Sequence, residues 1–215
     1  MEPTQITQAK ALEILARPTR GAHTYTPEQI EKAKARLEFD PCNDPQLEAM
    51  LEQAAVFLLD LRANRFPRWL VMLGKTGTGK THLLKAINLI FIKELEGRLI
   101  PEQDLARTNY RMKGGFVSWR KAADRMRNGD YDTLQMEEDY FVALDDIGAE
   151  YKSKTDFITS KLDGILDARL GKWTVITANL MLEQIGAFLD VRIASRLMRG
   201  GSDIIEIDCI DYNLR

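Results

Sequence analysis

The chain has 215 residues, 45% of them hydrophobic and 29% charged, which is enough for one α/β domain of ordinary size plus an appendage. Thirty Lys and Arg against 32 Asp and Glu leave a net charge of −2, which excludes a globally basic nucleic-acid coat, so any DNA contact must come from a local patch. Two cysteines with no Cys or His at metal-ligand spacing exclude a zinc site and a disulfide framework; no window nears the ~18 apolar residues of a membrane span, so a soluble cytoplasmic protein is expected.

Residues 1–65 read as a polar N-terminal helical appendage: "TQAKALEILA", then "TPEQIEKAKARLE" with Thr26 as N-cap and Pro27 at the first helical position, then "DPQLEAMLEQAAVFLLDLRA". Pro41, Cys42 and Asn43 interrupt the last two. The appendage either packs on the main domain or docks a partner. From residue 66 to 215 the rhythm changes to short apolar runs: "WLVML" (69–73), "GFVSW" (115–119), "YFVAL" (140–144), "WTVITA" (173–178) and "IIEID" (204–208). Helix-like stretches lie between them, notably "THLLKAINLIFIKELEG" with Gly97 as its stop, "RKAADRMRNG" and "TDFITSKLDGILDARLG". Five buried-looking runs interleaved with helices predict a five-stranded, largely parallel sheet covered on both faces.

Gly74 to Thr81 matches G-x-x-x-x-G-K-[ST], directly after a predicted strand and at the start of a predicted helix. Glycines at 74, 77 and 79 let successive N–H groups point inward at phosphate oxygens, and the helix that follows adds the positive end of its dipole. The candidate nucleotide-binding residues are therefore Gly74, Lys75, Thr76, Gly77, Thr78, Gly79, Lys80, Thr81 and His82. Lys80 reaches the outer phosphates, and the Thr81 hydroxyl can ligate Mg²⁺. Lys75 is either a solvated side chain or an extra phosphate contact, and His82 is a helix-start residue rather than a catalytic base.

A second acidic motif separates a nucleotide hydrolase from a simple binder. "YFVALDDIG" puts Asp145 and Asp146 at the carboxyl end of an apolar strand, where ligands sit in a parallel sheet. Asp145 would hold Mg²⁺ through water, and Asp146 would orient and activate the attacking water. Asn179 ends the strand "VITAN" where an amide can face that water or the γ-phosphate, although Asn also ends strands for turn reasons. In "DVRIASRLMRGG", Arg192 and Arg196 lie four apart and share one helix face, as exposed salt-bridging residues or as arginines supplied in trans to a transition state.

The ordered set "GKTGTGKTH", "ALDDIGAE", "TAN", "RIASRL" and "IIEIDCIDYNLR" resembles the AAA+ ATPases of the DnaC/DnaI/IstB group, bacterial and phage helicase loaders and the ATPase helpers of certain transposons. The resemblance covers about residues 66–215. It implies an AAA+ core, a nucleotide held between subunits of a ring or spiral, Arg196 as arginine finger with Arg192 beside it, and Asn179 as sensor 1. The sequence departs from the wider AAA+ pattern in carrying Asp146 where glutamate is usual. Nineteen residues follow Arg196, so a C-terminal helical lid and its sensor 2 are expected to be missing, leaving closure over ATP to a neighbour. The first 50 residues lack the zinc-binding cysteines of some loaders.

Two segments are candidates for DNA. From Arg107 to Arg127 seven basic residues stand against the single acid Asp124, and the helix "RKAADRMR" presents Arg120, Lys121 and Arg125, as a phosphate-binding face or a solvated one. The resemblance adds Lys152, Ser153 and Lys154, just after the Walker B strand, as contacts to single-stranded DNA, with Tyr151 able to stack on a base. The leading expectation is an ATP- and Mg²⁺-dependent ATPase that self-associates and delivers a replicative DNA helicase to single-stranded DNA. The alternative is an IstB-type helper of a transposase. A P-loop phosphotransferase and a nucleotide-gated interaction protein that barely hydrolyses are further readings, the former opposed by the lack of any recognisable acceptor pocket or lid.

Overall fold

A computed structural model describes residues 25–95, 115–130, 136–137, 139–149, 156–199 and 201–209. Two helices lead the described chain, α1 (Pro27–Leu37) and α2 (Pro45–Arg62). Thr26 caps α1 in a reciprocal box with Gln29, and Pro27 occupies the first turn where its missing N–H costs nothing. Asp44 caps α2 by accepting the N–H groups of Gln46 and Leu47, and Pro45 follows it. Between the two helices Glu38, Cys42 and Asn43 all take positive φ, folding the connection tightly back.

The remaining elements alternate strand and helix except for a helix pair before the last strand: β1 (Trp69–Gly74), α3 (Lys80–Ile90) continued by a π-helical turn (Phe91–Leu95), β2 (Gly115–Ser118), α4 (Trp119–Arg127), β3 (Phe141–Ile147), α5 (Asp156–Ala168), β4 (Trp173–Ala178), α6 (Leu182–Phe188), α7 (Val191–Leu197) and β5 (Asp203–Ile207). The five strands form one parallel sheet in the order β2-β3-β4-β1-β5, as the five apolar runs predict. Successive strand side chains point to opposite faces, which divides the core in two. Leu70, Met72, Phe141, Ala143, Trp173 and Val175 meet α1, α2 and α3 on one face. Val71, Leu73, Val142, Leu144, Ile176 and Ala178 meet α4, α5, α6 and α7 on the other. Because both faces are covered, the central strands β1 and β4 and the first four residues of β3 read as largely apolar runs rather than alternating ones. The α1–α2 pair thus shares a core with the sheet: Leu47, Met50, Phe57 and Leu58 are fully buried against it.

A buried arginine ties the edge of β3 to the start of β4. Arg169, 1% exposed, donates from Nε to Thr174 Oγ1 (3.2 Å), from Nη1 to the carbonyls of Met136 (3.1 Å) and Asp139, and from Nη2 to the carbonyl of Trp173 (2.6 Å). Its own carbonyl accepts Trp69 Nε1–H at 3.1 Å. Burial lowers its pKa to about 10, still leaving it charged near neutrality.

Candidate nucleotide-binding site

The carboxyl ends of β1, β3 and β4 converge on one cleft of about 460 Å³, lined by Glu38, Phe39, Asp40, residues 76–82, Asp145, Asp146 and Asn179. The loop after β1 is committed to glycine by its surroundings. Gly74 has φ 122°, and a Cβ there would sit 1.9 Å from the carbonyl oxygen of Ile207 on the neighbouring strand. Gly79 has φ 88° and faces the Phe39 ring, 2.3 Å from where a Cβ would stand. Gly74 and Lys75 form the root of the loop: the Lys75 N–H donates to Ile207 O at 3.1 Å, and its ammonium pairs with Asp208.

Lys80 folds back onto the loop that carries it. Its ammonium donates to the Gly74 carbonyl (2.9 Å), the Lys75 carbonyl and Thr78 Oγ1 (3.1 Å). Burial pulls its pKa down to about 8, against the opposing pull of Asp146 and other nearby negative groups. The next residue, Thr81, donates from Oγ1 to Asp145 Oδ1 at 2.8 Å, joining α3 to β3. A hydroxyl and a carboxylate side by side are the hard oxygen donors that Mg²⁺ takes, so the residues present fit that ion. Among the described residues there is no group of three or more His, Cys, Asp or Glu that could hold a metal ion.

The two acids are set by a bulge. Leu144 pairs with Ile176 and Ile147 with Ala178, so Asp145 and Asp146 together oppose the single residue Thr177. Asp146 takes φ 61°, a left-handed conformation that Asp tolerates better than most residues. Thr177 serves both acids: its hydroxyl donates to Asp145 Oδ1 (2.8 Å), and its oxygen accepts the Asp146 N–H (2.8 Å). Asn179 Nδ2 donates to Asp146 Oδ1 at 2.6 Å. Burial and the neighbouring Asp145 raise the Asp146 pKa, making it a stronger base than an ordinary carboxylate.

The structure thus brings the predicted residues Thr76, Gly77, Thr78, Gly79, Lys80, Thr81, His82, Asp145, Asp146 and Asn179 around one cleft. His82 meets a backbone carbonyl, Glu38 O, at 3.0 Å and leans against Phe39. Arg192 and Arg196 do not line that cleft. Both lie on α7: Arg192 is 63% exposed and pairs with Asp190, whereas Arg196 is 17% exposed and pairs with Asp163 and Asp167 of α5. On α4, Trp119, Ala122, Ala123 and Met126 are buried, while Arg120, Lys121 and Arg125 are exposed. Ser118 pairs with Asp145, so α4 starts beside the acids, near enough for Arg120 to lower the Asp146 pKa. Lys152, Ser153, Lys154 and Tyr151 lie outside the described residues, as do Arg107, Arg111 and Lys113.

Thr177 and the wall Glu38–Phe39–Asp40 belong to the site without having been anticipated. Thr177 carries no mark of its own in "WTVITA", because only the register of β4 on β3 sets it opposite the two acids. Nothing in the sequence marks the second, because it depends on where α1 and α2 pack.

A phosphate loop after β1, two acids near the carboxyl end of β3 and a polar amide after β4, on a parallel sheet of this order, match the fold of the AAA+ P-loop NTPases. Among solved structures, the chain is similar to the DnaC helicase loader, with a TM-score of 0.58 and 20% identity over 81% of this chain and 97% of that one. It is similar to DnaI, with a TM-score of 0.60 and 22% identity over 86% and 96%. Replication initiator DnaA bound to AMPPCP and single-stranded DNA matches with a TM-score of 0.51 and 16% identity over 86% of this chain and 52% of that one. No family model and no curated protein matches the chain. No helix among the described residues is long and apolar enough to cross a membrane.

Proposed function

We propose that the protein is an AAA+ ATPase that acts as a loader of a replicative DNA helicase onto single-stranded DNA. The observation that carries the ATPase part is the joined set Thr81–Asp145–Thr177–Asp146–Asn179, which fixes a cation-ligating pair and a candidate base at one cleft. The loader part is supported by similarity to DnaC and DnaI over nearly the whole of those chains.

In this reading the loop N–H groups and Lys80 receive the β- and γ-phosphates of ATP, Lys80 leaving the loop carbonyls for phosphate oxygens. Thr81 and Asp145 would hold Mg²⁺, which would neutralise charge on the phosphates. Asn179 holds one oxygen of Asp146, and the other orients the attacking water and accepts its proton. Glu38, Phe39 and Asp40 border the same cleft and form a wall for the rest of the nucleotide. Among the described residues that line the cleft the basic ones are Lys80 and His82, and in this reading the guanidinium for the γ-phosphate comes from outside that lining. Arg196, with Arg192 beside it, supplies that charge from an adjacent copy. Assembly and hydrolysis are coupled for that reason. The exposed face of α4 (Arg120, Lys121, Arg125) and the segment Lys152–Ser153–Lys154 take the phosphate backbone of single-stranded DNA.

The test is capture from the native host on immobilised protein in the presence of ATP, read by mass spectrometry. Retention of the replicative helicase, lost in the Lys80→Ala variant, supports a loader. Retention of a transposase instead assigns the ATPase to transposition, and retention of neither overturns the partner reading.

A further inference from the structure

Arg196 is held by its own chain at every nitrogen of its guanidinium. Nε donates to Asp163 Oδ1 (2.5 Å), Nη2 to Asp163 Oδ2 (3.3 Å) and Nη1 to Asp167. The two acids sit one turn apart on α5, on the face turned towards α7. Ile193, Ala194 and Leu197 of α7 are buried, so the helix carrying Arg196 is pinned and only the side chain is free to move. We propose that Asp163 and Asp167 form a catch: they keep Arg196 on its own subunit and must release it before it can serve the nucleotide of an adjacent copy. This inference rests on the reading above, in which Arg196 acts in trans.

Two features distinguish a catch from a rest that merely aims the arginine. The first is charge. Among the five ionised side chains gathered here, Arg192 and Arg196 are outnumbered by Asp163, Asp167 and Asp190. A triphosphate meeting that surface meets net negative charge, and a guanidinium shared with two carboxylates has little of its own left for a third anion. The second is a replacement ion. Arg192 Nη1 stands 4.0 Å from Asp163 Oδ2, the acid that grips Arg196 side-on. Asp163 is only 13% exposed and would be costly to leave unpaired. When Arg196 leaves, Arg192 is placed to take over the carboxylate. The two arginines then act in succession on one acid, with Arg196 extending outward and Arg192 moving inward.

ATP turnover measured across a range of protein concentrations reads this directly, for wild type and for Asp163→Asn, Asp167→Asn and the double variant. Removing the negative charges lowers the concentration of half-maximal turnover by about fivefold, the equivalent of one partly exposed ion pair, without lowering the maximal rate. A lower maximal rate at every concentration would show that the acids aim the arginine, and an unchanged curve would show them idle; either result overturns the catch. Asp167 is 55% exposed, so Asp167→Asn tolerates the change even if the double variant unfolds, and its curve alone must move the same way. Arg196→Ala in the same series separates the two levels. If it turns over like wild type, the trans reading fails and the catch with it. If it is inactive while the Asp variants match wild type, only the catch fails.

Discussion

Thr177 donates its hydroxyl proton to Asp145 Oδ1 across 2.8 Å from a position 2% exposed, and the same oxygen accepts the N–H of Asp146. One side chain on β4 therefore sets the orientation of both acids on β3. Thr177→Val keeps the shape and removes the hydroxyl. ATP affinity is expected to stay within about threefold of wild type while turnover falls by about 10- to 100-fold, the usual cost of losing an outer-shell partner. Equilibrium nucleotide binding and steady-state turnover on the same preparation check the split.

The Lys80 ammonium has a pKa lowered to about 8 by burial, from an ordinary value of 10.5. Bound phosphate favours the charged form and raises that pKa. Below about pH 8 the lysine is already protonated and ATP affinity is flat with respect to it. Between about 8 and the ordinary lysine value the empty site holds a neutral amine, so affinity falls as pH rises and binding takes up a proton. Calorimetric titrations at pH 7 and pH 9 in buffers of different ionisation enthalpy are expected to show proton uptake only at the higher pH.

Arg169, itself 1% exposed, makes its bonds to three carbonyls and a threonine hydroxyl. Arg169→Met leaves those acceptors unpaired, which costs about 3 kcal/mol and lowers the melting temperature by about 6–12 °C for a chain of this size. Arg169→Lys recovers little, since an ammonium cannot reach acceptors spread around a planar fork. Thermal unfolding followed by circular dichroism measures both.

On α4 the apolar stripe Trp119, Ala122, Ala123 and Met126 fixes which side faces outward, and Lys121 and Arg125 lie four apart on that outer side. Lys121→Ala with Arg125→Ala is expected to weaken single-stranded DNA binding irrespective of sequence. It should also lower the slope of log affinity against log salt by about 1.4, two phosphate contacts at about 0.7 each. An unchanged slope would leave this face a solvated one.

The parts legible in the sequence are those whose chemistry demands particular residue types at fixed spacing. Gly74, Gly77, Gly79, Lys80 and Thr81 announce a phosphate loop, and five apolar runs announce a sheet with both faces covered. Asp145 and Asp146 mark a strand end, but β3 runs on to Ile147, because a bulge at the acids lets pairing resume. Thr177 reads as an ordinary β-branched strand residue until the register sets it opposite those acids. Phe39 reaches Gly79 only because α1 and α2 pack on the α3 side of the sheet. The seven-residue α6 is too short to show a period, and Asp163 and Asp167 on α5 resemble any solvated helix face until Arg196 is placed against them.

The central claim is that a cleft on one protomer is completed by an arginine from another, and mixing two inactive variants tests it most directly. Lys80→Ala removes the phosphate grip and Arg196→Ala the donated charge, each expected to lower turnover by about 10³-fold. Mixed assemblies contain sites where an intact loop meets an intact arginine, so turnover should reappear and peak near equal proportions. A mixture no faster than the sum of its two components, or an Arg196→Ala protein as active as wild type, would contradict the account.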